Sequence, residues 1–177
     1  MPDNIPAFFI LTGPPGSGKT SLLRLLAETY QTVPECARRV LAEQRASGGT
    51  ATGEQDAAAF VEEMLTLAKS DYQTACGATL FDCGLPDLLA FCTHYQLPDT
   101  KIKGAIRAYR YAAPVFFLPG WPEIYETDAE RRLDFLEAVA FGEKIRAAYA
   151  QSGYDLVEVP SGSLDARAAF VRDRLKL

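Results

Sequence analysis

The stretch Gly13-Pro14-Pro15-Gly16-Ser17-Gly18-Lys19-Thr20 constrains this chain more than any other. It spells G-x-x-x-x-G-K-T, a loop whose backbone N–H groups cradle phosphates. The flanks suit it. Ala7-Phe8-Phe9-Ile10-Leu11 is a short apolar run, as a buried strand requires, and Ser21 to Tyr30 carries Leu22, Leu23, Leu25 and Leu26, the packed face of a helix. Gly13, Gly16 and Gly18 have no Cβ, so the backbone can curl around a ligand. The loop then enters a helix N-terminus, where free N–H groups and the helix dipole favour an anion. Lys19 places a charge on the β- and γ-phosphates, and Thr20 offers its hydroxyl to Mg²⁺. The expected nucleotide contacts are therefore Gly13, Pro14, Pro15, Gly16, Ser17, Gly18, Lys19, Thr20 and Ser21, with ATP and Mg²⁺ as cofactors. No Asn/Thr-Lys-x-Asp guanine signal accompanies the loop, which tilts the nucleotide towards ATP.

The rest of the chain alternates strand-like and helix-like segments. Gln31-Thr32-Val33 reads as strand 2 and Glu35 to Ala46 as a helix. A glycine-rich loop spans 47–53, either functional or merely mobile. A helix follows from about Asp56 to Ala75, with Phe60, Met64, Leu67 and Ala68 on one side. Ala78 to Asp82 is strand 3, and Pro86 fits the first turn of a helix reaching Tyr95. A weaker helix runs from Asp99 to Arg110, then a proline-bracketed strand from Pro114 to Pro119. Thr127-Asp128-Ala129-Glu130 reads as a capping box opening a helix that ends near Gln151. Asp155 to Val159 is the last strand, and Ser163 to Leu175 the last helix. This alternation predicts an α/β domain with a parallel sheet covered on both faces. Its ligands belong at the carboxyl ends of the strands.

Candidate reactive residues lie at those ends. Asp82 closes strand 3, where an acidic residue can reach Mg²⁺ or take a proton from an acceptor, or can simply cap the next helix. Glu35 follows strand 2, with Arg38 and Arg39 a turn later. The carboxylate could receive a hydroxyl proton and Arg38 could clamp an acidic group. Arg131 and Arg132 follow the irregular Pro119-Gly120-Trp121-Pro122 stretch, and either could close over a transferring phosphoryl group from a lid at about 119–132. Arg107 and Arg110 form a second cationic pair. His94 sits on an apolar helix face and reads as a packing residue, and Trp121 as a plug at the sheet edge.

At 177 residues the chain suits a single domain, 1–177. The formal net charge of -5, with no Lys/Arg block, argues against a nucleic-acid partner. No signal peptide or long apolar span stands out, so no membrane partner and a cytoplasmic location are expected. Cys36, Cys76, Cys83 and Cys92 include no C-x-x-C pair and there is one histidine, which favours reduced thiols over zinc.

Taken together, the phosphate loop, Val33-Pro34-Glu35-Cys36-Ala37-Arg38-Arg39, Phe81-Asp82-Cys83-Gly84-Leu85-Pro86-Asp87, Trp121-Pro122-Glu123-Ile124-Tyr125 and Val157-Glu158-Val159-Pro160 resemble the small phosphate-loop ATPases of the AAA-domain group. That group is close to nucleoside and nucleotide kinases, including the ribosylnicotinamide kinase domain. The resemblance covers nearly the whole chain. It implies a nucleotide-kinase-like three-layer α/β/α fold around a five-stranded parallel sheet. It also implies Asp82 on the Mg²⁺ and acceptor side, a lid arginine at Arg131 or Arg132, and an adenine loop near Pro160. The group usually shows Asp-Arg-Gly at the end of strand 3, whereas this chain has Cys83 in place of the arginine. The implied activity is transfer of the ATP γ-phosphate to a nucleoside- or nucleotide-like small molecule. A nucleotide-dependent regulator acting through a protein partner is the alternative.

Overall fold

The computed structural model describes residues 5–125 and 133–175. Its five strands are all parallel: β1 (Phe8–Thr12), β2 (Gln31–Val33), β3 (Thr79–Asp82), β4 (Val115–Phe117) and β5 (Leu156–Glu158), in the order β2-β3-β1-β4-β5. The central three are buried along their whole length, as near-continuous apolar runs are in a sheet covered on both faces. Register places Leu11 opposite Asp82 on one side and Phe116 on the other. The carboxyl ends of β1 and β3 therefore finish almost level. The strand order reverses at β1, where crevices for ligands open.

Side-chain alternation divides the core in two. Phe9 and Leu11 of β1, Leu80 and Phe116 face α1 (Lys19–Leu26) and α7 (Leu164–Leu175), packing on Leu22, Leu26 and Val171. Phe8 and Ile10, Phe81, Val115 and Phe117 face the other layer. That layer holds α2 (Cys36–Ser47), α3 (Ala57–Thr74), α4 (Asp87–Tyr95), α5 (Thr100–Ala108) and α6 (Phe135–Gln151). The result is the expected three-layer α/β/α arrangement.

Three local readings change. The first helix ends at Leu26 rather than Tyr30: Ala27, Glu28 and Thr29 are exposed and continue as a turn, with the Tyr30 N–H on the Leu26 carbonyl at 3.0 Å. The capping box at Thr127–Glu130, with Arg131 and Arg132, lies outside the described residues. Leu133 and Asp134 are not helical, and α6 opens instead on a capping box between Asp134 and Glu137. The 47–53 stretch is pinned rather than loose. The Gln44 side chain accepts from the Ala51 N–H at 3.1 Å, Ala51 is buried, and Asp56 caps α3 by accepting from Ala59 at 2.9 Å.

Candidate nucleotide and acceptor site

The phosphate loop joins β1 to α1 and is curled. Gly13, Gly16 and Gly18 have φ of 141°, 80° and 83°, conformations that favour glycine. Gly13 is also fixed by space, since a Cβ there would stand 2.1 Å from the Leu118 carbonyl oxygen. Pro14 is buried against α6, where Gly142 leaves room for its ring. Lys19 is buried, and its ammonium donates to the carbonyls of Gly13 at 2.8 Å and Pro14 at 3.0 Å. Burial works against that charge. The Asp82, Glu35 and Asp87 carboxylates outweigh it and hold the ammonium above its ordinary pKa.

Thr20 and Asp82 meet. The Thr20 hydroxyl donates to Asp82 Oδ2 at 3.2 Å, although 62 residues separate them. Burial, with Glu35 nearby, raises the Asp82 carboxyl to about 6 against the pull of Lys19 and the Thr20 hydrogen bond. The pair suits one magnesium ion. A hydroxyl and one carboxylate leave the remaining positions to phosphates and water, which Mg²⁺ prefers over an all-protein cage. The loop suits a polyphosphate for a second reason: the Ser17 hydroxyl is buried without a hydrogen-bond partner among the described residues.

Glu35 stands at the start of α2, where its side chain makes no capping bond and instead accepts from Arg38 Nε at 3.2 Å. Arg39 turns away to Asp71 on α3, 2.5 Å from its carboxylate. Arg110 is also turned away. It lies beyond the end of α5, stacks 4.0 Å over the Tyr154 ring and donates to the Ser152 carbonyl at 2.8 Å. Glu35 and Arg38 share with Gly16, Gly18, Lys19, Thr20 and Ser21 one cleft of about 970 Å³. Its far wall is aromatic: Phe60, Phe91, Tyr95 and Phe141. Cys83 sits beside Asp82 in a left-handed turn, φ 69°, its N–H on the Leu11 carbonyl at 2.9 Å. Burial raises its pKa well above the ordinary value, so the thiol stays protonated. Pro160 is at the same end of the molecule, exposed on the turn between β5 and α7 and apart from the cleft lining. Trp121 is half-buried beneath the Arg167 guanidinium, 5.9 Å from its ring.

Two site residues gave no usable sequence signal. Asp87, buried at the start of α4, accepts from Thr12 at the end of β1, from the Gly84 N–H at 2.7 Å and from the Tyr149 hydroxyl on α6. It ties both strand ends to the helix that follows the 119–132 segment. Arg167 on α7 is 5% exposed and donates to the Ser17 carbonyl at 2.8 Å, holding the loop from behind. A helix-opening aspartate and an arginine on the last helix look in sequence like ordinary helix-end and surface charges.

Fold and site together define a phosphate-loop nucleotide-binding protein of kinase-like build. The family described as AAA domain matches residues 8–167, and the chain belongs to it. Comparison with curated proteins by sequence finds no match. Among solved structures, the NadR protein in complex with NR superposes with a TM-score of 0.71 at 15% identity, covering 98% of this chain and 52% of that one. The present chain thus spans about half of NadR. Deoxyadenosine kinase from M. mycoides, with dCMP and dCDP bound, gives 0.65 at 13% identity over 96% and 98%. YorR from Bacillus subtilis, in complex with phosphorylated GDP, gives 0.63 at 14% identity over 96% of each chain. At these identities the likeness is one of fold.

Proposed function

We propose that this protein is an ATP-dependent kinase for a small, nucleoside- or nucleotide-like acceptor. The observation that carries the reading is the shared cleft. The phosphate loop forms one wall, and Glu35, Arg38 and an aromatic surface face it across a single volume. Beyond the loop, the same volume offers polar and aromatic groups for an acceptor. The proteins of like fold include a deoxyadenosine kinase, a shikimate kinase and a thymidylate kinase, all phosphotransferases by name.

In this reading the loop amides and Lys19 bind the β- and γ-phosphates, Lys19 leaving its resting carbonyls for the ligand. Thr20 and Asp82 hold Mg²⁺, which when bound neutralises charge on the phosphates. Glu35, which lines the cleft, is the group that orients the acceptor hydroxyl and receives its proton; Asp82, the other candidate carboxylate, is buried behind Thr20, which lines the cleft and donates to it. Arg38, held by Glu35, faces the acceptor side. Arg131 or Arg132 would close over the transferring group, and the turn at Pro160 is where the adenine would lie. Incubation with ATP, Mg²⁺ and a panel of nucleosides, nucleotides and vitamins tests the assignment. Acceptor-stimulated ADP release supports it, and release no greater than the hydrolysis background with every acceptor ends it.

Cys83 favours one second reading, a nucleotide-dependent regulator that uses a protein partner. Pull-downs that recover the same partners with and without ATP, alongside acceptor turnover, would remove that alternative.

A further inference from the structure

The acceptor end of the cleft carries a reader that the kinase assignment does not use. His94, on α4, lines the cleft beside Tyr95 and Phe141. Its ring meets Tyr95 at 4.8 Å and Phe141 at 5.6 Å, both edge-on. Lys144 of α6 reaches it, with Nζ 3.2 Å from Nδ1. An ammonium has three donors and no acceptor, so this contact forms only if Nδ1 carries a lone pair. The ring proton is then on Nε2, and the imidazole is neutral. Around this ring, α6 contributes Lys144 and Glu137 and α4 contributes Tyr95. Burial and Lys144 lower the His94 pKa and Glu137 opposes them, which agrees with a neutral ring. Beside it lies an apolar slot. Phe91 packs on Phe60 at 6.0 Å, on Tyr95 at 6.3 Å and on Phe141 at 5.0 Å. Gly53, in the loop before α3, closes the slot against Tyr95, for a Cβ there would be 2.0 Å from the Tyr95 hydroxyl.

We propose that this compartment takes a planar ring with a hydrogen-bond-accepting edge, a ring nitrogen or carbonyl, and that the Nε2–H of His94 reads that edge. Aromatic walls favour a flat ring over a flexible polyol, because ring faces and edges pack without rotamer loss. A directed donor rejects rings that present only N–H groups to it, since both donors would be left unpaired. His94 is thereby a specificity-determining residue. The inference rests on the kinase reading for the name of the compartment, but its test does not need phosphoryl transfer.

His94 is the single histidine of the chain, so its side-chain nitrogens can be assigned without ambiguity. Long-range proton–nitrogen spectra of the full chain at pH 7 are expected to show Nδ1 unprotonated and Nε2 protonated. Adenosine, guanosine, cytidine, uridine and thymidine are titrated without ATP, with ribose as the probe that lacks a base. At least one nucleoside binds and moves the Nε2–H signal, whereas ribose does not. His94 is exposed on the cleft wall, so His94→Ala weakens that nucleoside by a few-fold, the net loss of one hydrogen bond, and leaves ATP affinity unchanged. Lys144→Met removes one of the two influences that lower the His94 pKa, so the ring titrates at higher pH, and nucleoside binding persists on acidification because the imidazolium keeps its Nε2–H donor. A charged or Nδ1-protonated ring, equal affinity of His94→Ala and wild type, or failure of all five nucleosides to bind overturns the inference. If none binds while an aliphatic alcohol is phosphorylated, the ring site fails and the kinase reading stands. If one binds through His94 and no acceptor is phosphorylated, the reverse holds.

Discussion

Tyr149→Phe isolates the contact that ties α6 to the ends of β1 and β3. Tyr149 is fully buried and its hydroxyl donates to Asp87 Oδ2. The substitution deletes one oxygen and leaves the ring, so no cavity larger than a hydroxyl forms. Asp87 keeps the donors Thr12 and Gly84. The cost is that of one hydrogen bond to a charged acceptor, about 2 kcal/mol at neutral pH. For a chain of this length that corresponds to a melting temperature lower by roughly 4–8 °C. The cost also depends on pH in a definite direction. Burial already raises the Asp87 pKa, against the hydrogen bonds from Gly84, Thr12 and Tyr149 that lower it. Without the Tyr149 donor the folded-state pKa rises further above the unfolded value near 3.9. The variant's deficit is therefore largest where Asp87 is ionised and shrinks as the pH falls through the folded-state pKa and protonates it. Urea unfolding at pH 7.5 and pH 5, with slopes checked for equality, reads both effects. A loss below about 0.5 kcal/mol at pH 7.5 would show that the hydroxyl is not bound to an ionised Asp87 and refute the network. Thr12→Val in the same background should be non-additive, because both donors share one carboxylate.

Four further outcomes are expected. Lys19→Ala keeps a native circular-dichroism spectrum but weakens ATP by at least roughly 100-fold in isothermal titration, since the cation contributes to binding and its resting partners are only loop carbonyls; unchanged affinity would contradict the loop assignment. Gly13→Ala costs more than about 3 kcal/mol by denaturant melt, because φ is 141° and the new Cβ meets the Leu118 oxygen; a loss under 1 kcal/mol would show that the loop rearranges freely. Chelation of Mg²⁺ abolishes turnover in wild type, and Asp82→Asn shifts the Mg²⁺ concentration needed for half-maximal rate upwards by about tenfold or more; an unshifted requirement would remove Asp82 from the metal. Gly53→Ala displaces Tyr95 and raises the KM for acceptor while leaving that for ATP unchanged; equal effects on both would mean that the loop before α3 serves the whole cleft.

What could be read from sequence followed the range of the interactions. The loop from Gly13 to Thr20 carries its own backbone requirement and its flanking strand and helix within some twenty residues, so its place was legible. The strand-end positions of Glu35 and Asp82 were legible from the alternation of strands and helices. Asp87 and Arg167 were not, since their partners Tyr149 and Ser17 lie 62 and 150 residues away and meet them only in the folded chain. The aromatic wall was not legible for a related reason. At helical spacing Phe60, Phe91 and Phe141 look the same whether they fill a core or line a cleft, and here they do both.

The same logic sorts the arginines that the sequence leaves as candidate cations, Arg38 and the pair Arg107 and Arg110. The structure separates them: Arg110 is committed to Tyr154 and Ser152, and Arg107 is exposed on α5 and absent from the cleft lining, while Arg38 lines the cleft with Glu35 as its partner. A protonated Cys83 contributes no charge beside Asp82, and we propose Arg38, among these three, as the cation on the acceptor side. Arg38→Met should then raise the KM for an anionic acceptor far more than for a neutral one, with ATP affinity kept. Equal effects on the two acceptors would show that Arg38 serves only to hold Glu35 in place.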